Sequence, residues 1–235
     1  GDLILPDVLP LGNYRIEEVA APFGYVLNEN YVEVKVDTDT FYEVDPDTYE
    51  AIITVEYENA PAVGELIIEK KGEVLDAYKG GLFADSEDKE FVYKEGSLAG
   101  AKFEIYAAED IYTADMQTDE NGNRNKYYAE GELVATVVTG EDGKAKVSDL
   151  PLGKYRVVEV EAPYGYVLNK EEQYVTFVYV DDKTPVIRES LTFANDRQKV
   201  DLSVAKLDGE TGLPVFGAEF GLYAAEDIVN VDGKV

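Results

Sequence analysis

The sequence has no cysteine and no histidine among its 235 residues. Without cysteine it can form neither a disulfide nor a thiolate metal site. Without histidine it lacks the usual general base and the usual zinc ligand, so Ser-His and Cys-His catalysis are excluded. We therefore expect a protein that is not an enzyme and that holds no metal ion or other cofactor.

Long apolar runs are also missing. No stretch approaches the roughly 18 residues that a membrane-spanning helix needs. The chain does not open with a basic region followed by an apolar one, as a secretory signal would. We expect no membrane insertion in this segment. If the whole protein is secreted, its signal and its anchor lie outside this sequence.

Basic residues are scarce, with 21 Lys and Arg against 49 Asp and Glu and a formal net charge of −28. Such a surface repels nucleic acid and anionic membranes, both of which bind basic patches. We therefore expect no nucleic-acid partner. The charge suits a soluble protein in a salty exterior, and the apolar content of 45% is enough for a packed core.

Alternating patterns, in contrast, are abundant. Tyrosine and β-branched residues alternate with polar ones in "LIIEK", "ATVVTG", "YRVVEV", "YVTFVYV" and "AIITVEY", which is typical of strands. Turn signals such as "DGETG", "GEDGK" and "APYGY" separate these segments. The pattern predicts an all-β sandwich, with at most short helical turns at "AAEDI".

One polar loop, "DENGNRN" at 119–125, spaces its side chains somewhat like a calcium loop. Arg124, however, stands where such a loop needs glycine. We therefore expect a polar hairpin loop. The glycines of the chain are scattered in turns and form no phosphate-binding pattern.

Internal repeats organise the chain. Residues 9–28, "LPLGNYRIEEVAAPFGYVLN", recur at 150–169 as "LPLGKYRVVEVEAPYGYVLN", with 15 of 20 positions identical. Residues 100–111, "GAKFEIYAAEDI", recur at 217–228 as "GAEFGLYAAEDI". Each repeat unit therefore begins with a strand and the GA-x-F segment, continues with the LPLG segment, and ends with a strand that closes on Asn.

This order predicts one complete repeat, at 62–198. Residues 1–61 are then the C-terminal part of a preceding repeat, and 199–235 are the N-terminal part of a following one. The complete repeat has 30 positions from its first-strand lysine to its GA-x-F glycine, whereas the following repeat has 11. The extra residues predict a surface insertion near 72–98, where loops tolerate length.

Three strands of the complete repeat each end an apolar row with one polar residue. Alternate residues of a strand share a face. By that rule Lys70 follows Leu66 and Ile68, Glu159 follows Tyr155 and Val157, and Asn195 follows Leu191 and Phe193. The equivalent positions of the incomplete repeats are Glu18, Asn59 and Lys206.

Buried together, these three residue types can react. Burial lowers the pKa of a lysine and raises that of a glutamate, so the pair can become a neutral amine beside a neutral acid. The amine can attack an asparagine amide while the carboxyl moves protons, and ammonia leaves as an amide crosslink forms. Two alternatives remain open from the residues alone: a Lys–Glu ion pair with a hydrogen-bonded Asn, or three strand ends that face water.

The motif YxxxExxAPxGY at 155–166 resembles the signature of the Cna protein B-type domain, also called the SpaA-like or prealbumin-like domain, of Gram-positive surface proteins. The "LPLGKY" loop, the "GAKFEIY" strand and "LSVAKLDGETGLPVFGAEF" resemble the family as well. The resemblance covers nearly the whole chain apart from 72–98 and the loop at 114–131. It implies tandem Ig-like or prealbumin-like β-sandwiches with Greek-key-type topology.

The resemblance also implies a self-catalysed isopeptide bond between Lys70 and Asn195, with Glu159 as the catalytic residue. Lys71 should face outward by strand alternation. The implied function is a stalk or spacer of a bacterial adhesin or fibre, extracellular and attached to the cell wall. The alternative is a ligand-binding adhesin module or a pilin subunit that binds through the insertion near 72–98. The chain has neither an LPxTG-type sorting signal nor a "VYPK" pilin lysine, which disfavours a pilus shaft.

The expected partners are neighbouring repeats of the same protein, while the host or matrix ligand is not given by the sequence. The incomplete repeats at 1–61 and 199–235 would expose apolar faces if they stood alone. We expect head-to-tail contact between copies, which would bring Lys206 of one copy near Glu18 and Asn59 of the next. The alternative is that further residues of a longer chain complete them.

Overall fold

The computed structural model of the chain describes residues 9–37, 43–44, 51–79 and 90–228. Within these ranges the chain forms strands and no helix, so the all-β prediction is confirmed. The helical turn considered at "AAEDI" is a bend at 108–109 instead. The strands are β1 (Gly12–Glu17), β2 (Tyr31–Val36), β3 (Glu43–Val44), β4 (Ala51–Ile52), β5 (Val63–Lys79), β6 (Glu90–Ser97), β7 (Lys102–Ala107), β8 (Ile111–Tyr112), β9 (Lys126–Tyr128), β10 (Leu133–Val138), β11 (Lys144–Pro151), β12 (Gly153–Glu161), β13 (Glu172–Phe177) and β14 (Val186–Asn195).

Strands β5–β7 and β10–β14 form a sandwich of two sheets, called here the central sandwich. One sheet has the order β11-β5-β14, with β6 paired to the far half of β5. The other has the order β10-β7-β12-β13. The chain crosses between the sheets at β6–β7, β10–β11, β11–β12 and β13–β14, as in Greek-key topology. β5 and β14, the first and last strands, lie parallel and adjacent.

Strand alternation builds the core between the sheets. Every second residue of β5 from Gly64 to Lys70 is buried, and β12 buries Tyr155, Val157 and Glu159 in the same way. Aromatic rings fill the interior in tilted and edge-to-face pairs, with ring centroids 4.9 Å apart for Phe103 and Phe193 and 5.9 Å apart for Tyr155 and Phe177. The remaining buried apolar residues of this cluster are Leu66, Ile68, Ala101, Ile105, Ala107, Ile111, Ala145, Leu150 and Val175.

The insertion predicted near 72–98 continues the sheet, so its description as a loop was wrong for the described part. β5 runs on past Lys70 and pairs antiparallel with β6, while 80–89 lie outside the described residues. The guanidinium of Arg197 lies 3.6 Å from the ring centroid of Tyr93 and donates a hydrogen bond of 2.5 Å to its hydroxyl. The paired parts of β5 and β6 beyond Lys70, called here the hairpin, are therefore attached to the end of the central sandwich.

The N-terminal residues reproduce one pair of strands from the central sandwich. β1 pairs with β2 so that Tyr14 lies opposite Val34, and β12 pairs with β13 so that Tyr155 lies opposite Val175. Each tyrosine hydroxyl donates to the carbonyl four residues before it, at 2.7 Å and 2.6 Å. The sequence repeat is thus also a structural repeat, while the domain bounds 1–61, 62–198 and 199–235 stay a prediction.

The C-terminal segment 199–228 has a different character. Its described residues are exposed and form no strand, with a turn at 209–211 and one isolated bridge between Leu207 and Pro214. Large apolar side chains such as Leu202, Val204 and Phe216 face solvent. Its alternating apolar residues resemble those of β5, the first strand of the central sandwich. Among the described residues, however, the segment packs against no sheet.

Two turn glycines with positive φ give a matched test of the packing around β5. Gly143 has φ 71°, and a Cβ there would lie 2.6 Å from the Cβ of Ser97 and 2.9 Å from the carbonyl oxygen of Lys70. Gly131 has φ 82° and open space around it. We expect Gly131→Ala to lower the free energy of unfolding by about 1 kcal/mol, from backbone strain alone. Gly143→Ala should cost about 1–3 kcal/mol more, from overpacking.

Urea unfolding of both variants measures the difference. Equal losses of stability in the two variants would show that the turn at Gly143 has room to relax and that the packing described here is not tight.

Candidate functional site

The three polar residues predicted to meet do meet, in the core of the central sandwich. Lys70, Glu159 and Asn195 are 0%, 4% and 5% exposed. Each comes from a different strand, and each continues the apolar row of that strand into the interior. Lys71, one residue along, is only partly buried, in keeping with its predicted outward direction.

The side chains form a closed triangle of contacts. Lys70 Nζ lies 2.5 Å from Asn195 Oδ1 and 3.1 Å from Glu159 Oε2. Asn195 Nδ2 donates to the other carboxyl oxygen, Glu159 Oε1, at 2.8 Å. The carboxyl group therefore touches both the lysine nitrogen and the amide nitrogen. The alternative of three strand ends facing water is excluded by this burial.

Backbone contacts hold the lysine in place at the point where β5 leaves the core. The Lys70 N–H donates to the carbonyl of Gly143 at 2.8 Å, and the Lys70 carbonyl accepts from Leu98 N at 3.0 Å. These bonds tie the residue to a turn on one side and to the end of the hairpin on the other. The backbone of Lys70 is therefore fixed at the position from which its side chain reaches Asn195.

The surroundings favour the neutral amine. The rings of Phe103 and Phe193 lie 5.7 Å and 5.8 Å from Lys70 Nζ. Removal from water lowers the pKa of Lys70 below its ordinary value of 10.5, and the nearby Glu159 carboxyl opposes this effect in part. A lysine in this position has a larger fraction of its nucleophilic, unprotonated form than a surface lysine at the same pH.

Sequence reasoning missed a fourth participant, Asn169. Its backbone N–H donates to Glu159 Oε2 at 3.0 Å, and its side-chain amide donates to the carbonyl of Ala194 at 3.0 Å. Asn169 thus fixes the carboxyl and at the same time the strand that carries Asn195. A signal was available, because both copies of the 20-residue repeat end on Asn, at Asn28 and Asn169.

The N-terminal repeat brings together the counterparts of Glu159 and Asn195, a pair called here the acceptor half of the site. Asn59 Nδ2 donates to Glu18 Oε2 at 2.6 Å, and the Asn28 N–H donates to the same oxygen at 2.7 Å. The Asn28 side-chain amide donates to the Glu58 carbonyl at 3.0 Å, as Asn169 does to Ala194. No lysine precedes Glu18 in the sequence, and Lys206 is an exposed residue of the C-terminal segment.

The described residues give no support to a metal site, since none of their acidic side chains gather in groups of three or more that could hold an ion. In the loop at 119–125, Asp119 Oδ1 accepts from the backbone N–H groups of Asn121 and Asn123 at 2.9 Å and 2.8 Å. The side-chain amide of Asn123, which donates to Asp119 Oδ2 at 3.1 Å, lowers the pKa of Asp119 most, and the backbone bonds add to this effect. The carboxylate is thus used to shape the turn. Among the described residues, no helix has the length and apolar character to cross a membrane.

Chemically, the arrangement is that of an amine poised at an amide. The nucleophilic nitrogen, the amide and a carboxyl that contacts both nitrogens lie together where water is excluded. Fixed proximity of this kind accelerates reactions that are slow between free molecules. The described residues thus combine an all-β sandwich with a buried site made of a lysine, a glutamate and an asparagine from three strands.

Comparison with known proteins identifies the family. The sequence model of the SpaA prealbumin-like fold domain matches residues 3–49 and 89–189, more than half of the chain. The chain therefore belongs to the SpaA prealbumin-like fold domain family, and the predicted resemblance is confirmed. The matched ranges include Glu159 but neither Lys70 nor Asn195.

Several similar proteins come from Gram-positive bacteria. The trypsin-resistant surface T6 protein of Streptococcus pyogenes serotype M6 is 27% identical over 147 residues, 61% of this chain and 25% of that protein. The Bacillus anthracis TIE protein is 26% identical with a TM-score of 0.47, covering 80% of this chain and 26% of that one. A minor pilin of Streptococcus agalactiae is 16% identical with a TM-score of 0.35, covering 77% and 74%. The chain thus spans about a quarter of the length of the first two.

The lowered pKa of Lys70 predicts a pH dependence of stability once the amide partner is removed, as in Asn195→Ala. Between the lowered folded-state pKa and the ordinary value of 10.5, the unfolded chain binds more protons than the folded chain. The free energy of unfolding therefore rises with pH across this window, by at most about 1.4 kcal/mol per pH unit. Below the folded-state pKa the full cost of burying the charge remains.

Urea unfolding at a series of pH values measures this slope. The reference is the double variant Lys70→Met with Asn195→Ala, which differs only at residue 70, so the contributions of all other titrating groups cancel. The free energy of unfolding of Asn195→Ala, minus that of the double variant, should rise with pH. A difference that is flat, or that falls as pH rises, would contradict the lowered pKa.

Proposed function

We propose that this chain is a load-bearing spacer segment of a bacterial cell-surface protein, locked by a self-made isopeptide bond between Lys70 and Asn195. The observation that carries the proposal is the contact of Lys70 Nζ with the Asn195 amide at 2.5 Å, beside a carboxyl that also contacts the amide nitrogen. No cofactor is required, since all reacting groups belong to the chain.

The step balances within these three side chains. The neutral Lys70 amine attacks Cγ of Asn195, which breaks the bond from Cγ to Nδ2 after a tetrahedral intermediate. Glu159 takes a proton from the lysine nitrogen through Oε2 and delivers one to Nδ2 through Oε1, as the two contacts suggest. Ammonia leaves, and a secondary amide joins the two strands.

The position of the bond suits a mechanical role. Force would enter at the start of β5 and leave after the end of β14, at opposite ends of two parallel strands. With Lys70 joined to Asn195, that force passes across the bond and bypasses all residues between them. The bond also closes a loop of 125 residues. In the entropic model this stabilises the fold by about 5 kcal/mol.

Other properties agree with an exposed structural role. The surface is strongly acidic, and the family consists of structural domains rather than enzymes. We infer an extracellular location at the cell wall on this basis. Turnover of peptides, glycans or esters is not expected.

The intact mass of the purified chain tests the bond. We expect the wild-type mass to be lower than the sequence mass by one ammonia, because the crosslink releases one Asn nitrogen. Glu159→Gln should restore the full mass, since the amide cannot shuttle protons as the carboxyl does. Glu161→Gln, on the exposed side of the same strand, is the matched control and should keep the reduced mass.

Lys70→Met and Lys71→Met form a second matched pair. Only the first should restore the full mass. A wild-type chain with the unmodified mass, after prolonged incubation in the folded state, would refute the proposal and leave the buried ion pair as the account of this site.

The N-terminal repeat supports a second, intermolecular form of the same chemistry. Glu18 and Asn59 are already hydrogen-bonded at 2.6 Å, and among the described residues no lysine bonds to this pair. Lys206 follows Leu202 and Val204 on an exposed segment, in the same alternation as Leu66, Ile68 and Lys70 of β5. We infer that this segment of one copy adds to the N-terminal repeat of the next and joins Lys206 to Asn59.

Denaturing gel electrophoresis of the chain, concentrated and incubated in the folded state, tests this inference. We expect a ladder of covalent oligomers that disappears in Lys206→Met and in Asn59→Ala, while Lys199→Met keeps it. Absence of covalent oligomers from the wild type would favour completion of both incomplete repeats by further residues of a longer chain.

A further inference from the structure

The crosslink chemistry leaves one repeated motif unexplained, the segment APxGY at 21–25 and 162–166. Both copies form the same turn, with φ of 88° at Gly24 and 83° at Gly165. The tyrosine N–H bonds back to the proline carbonyl at 3.0 Å in the first copy and 3.1 Å in the second. Each turn bonds to the end of the last strand of its own repeat, since the Ala62 N–H donates to the Gly24 carbonyl at 2.9 Å and the Gln198 N–H to the Gly165 carbonyl at 2.8 Å. The outer side of the turn is what these bonds leave unexplained.

The first turn is docked on the central sandwich through polar contacts. The Leu27 N–H donates to the Asp182 carbonyl at 2.7 Å, and the Ala21 N–H donates to Asp182 Oδ2 at 3.2 Å. The hydroxyl of Tyr179 donates to the carbonyl of Tyr25 at 3.2 Å. Three hydrogen bonds thus join the N-terminal repeat to the loop between β13 and β14 of the central sandwich, at points far from each other in sequence.

Apolar contacts complete the joint. The ring of Phe23 lies against that of Tyr179, with centroids 4.7 Å apart. Gly24 is buried, and a Cβ added there would lie 3.0 Å from the Cβ of Ala114. Glycine therefore satisfies both the positive φ and the close approach to the loop after β8.

The turn at 181–184 on the central sandwich, which accepts these hydrogen bonds, is also held by hydrogen bonds of its own. Asp181 Oδ1 accepts from the Lys183 N–H at 3.0 Å and from the Thr184 hydroxyl at 2.8 Å. These bonds shape the turn and present the next residue, Asp182, toward the docked motif. The joint is consequently formed between two rigid turns rather than between loose loops.

The second copy of the motif presents the same surface without a cover. Tyr164 is 93% exposed, and its counterpart Phe23 is 69% exposed. Val167 is exposed and Gly165 half-exposed, whereas their counterparts Val26 and Gly24 are half-buried and buried. The central sandwich covers the first copy at these two positions, while Tyr166 of the second copy is buried against its own repeat, where its hydroxyl donates to the Glu73 carbonyl at 2.6 Å.

We propose that the APxGY turn is a docking surface for the next repeat and fixes the angle between consecutive repeats. In this chain its occupant is the Asp182 turn of the central sandwich, and the turn at 162–166 takes the equivalent turn of a following repeat of the same fold. The inference concerns the joint alone and does not depend on the isopeptide bond. A spacer built this way transmits orientation as well as tension.

Amide hydrogen exchange on the full chain tests the first joint. Asp182→Ala removes the acceptor of the Ala21 N–H, and its exchange should become about tenfold faster. The control Asp142→Ala removes another exposed aspartate that accepts a backbone N–H, from Lys144. That control should leave Ala21 unchanged. Unchanged Ala21 exchange in Asp182→Ala would overturn the proposal, whatever the mass of the chain.

Residual dipolar couplings test whether the joint fixes orientation. One alignment tensor should describe β1–β2 and the central sandwich of the wild type. In Phe23→Ala two tensors should be needed, whereas Tyr164→Ala, the same change in the uncovered copy, should keep one. Two tensors in the wild type would show that the joint is flexible and the proposal wrong.

The second copy is tested in a chain lengthened after Gln198 by another copy of residues 63–198. The amide of Leu168, the counterpart of Leu27, should exchange at least about tenfold more slowly there than in the original chain. An unprotected Leu168 beside a protected Leu27 would restrict the docking role to the first motif and contradict a general joint.

Discussion

The structure depends on how one buried lysine is accommodated. An ammonium group removed from water is costly unless it is paired or becomes neutral. Lys70 is fully buried, so its Nζ must be matched by groups from other strands, and Glu159 and Asn195 supply them. This requirement couples β5 and β14 of one sheet to β12 of the other.

The same requirement links fold to function. Because β5 and β14 are the first and last strands of the central sandwich and lie side by side, a bond between them encloses the whole core. The repeated acceptor half at Glu18 and Asn59 shows that the motif carries this geometry wherever it occurs. Docking of the APxGY turn then relates one repeat to the next. The glutamate of the motif would then stabilise each repeat against force, and the APxGY turn of the same motif would set the angle between repeats.

Alternation and turn signals were enough to predict the all-β fold and to place Lys70, Glu159 and Asn195 in line with apolar rows, because period-two patterns fix which face a side chain takes. The residues alone left open whether these strand ends face water, and only the family resemblance favoured their meeting in the core. The role of Asn169 could not be derived in this way, since its contact with Glu159 uses a backbone N–H in an irregular segment. The hairpin at 72–98 was misread as a loop because its charged residues hide the strand pattern. The contact at Asp182 depends on tertiary geometry that no local pattern encodes.

The most direct measurement is fragmentation of the crosslinked peptide after proteolysis of the folded chain. The account predicts one branched species in which the segment containing Lys70 is joined to that containing Asn195, lighter than their sum by one ammonia. Fragment ions should locate the linkage at these two residues. Recovery of both segments as separate linear peptides, with Lys70 and Asn195 unmodified, would contradict it.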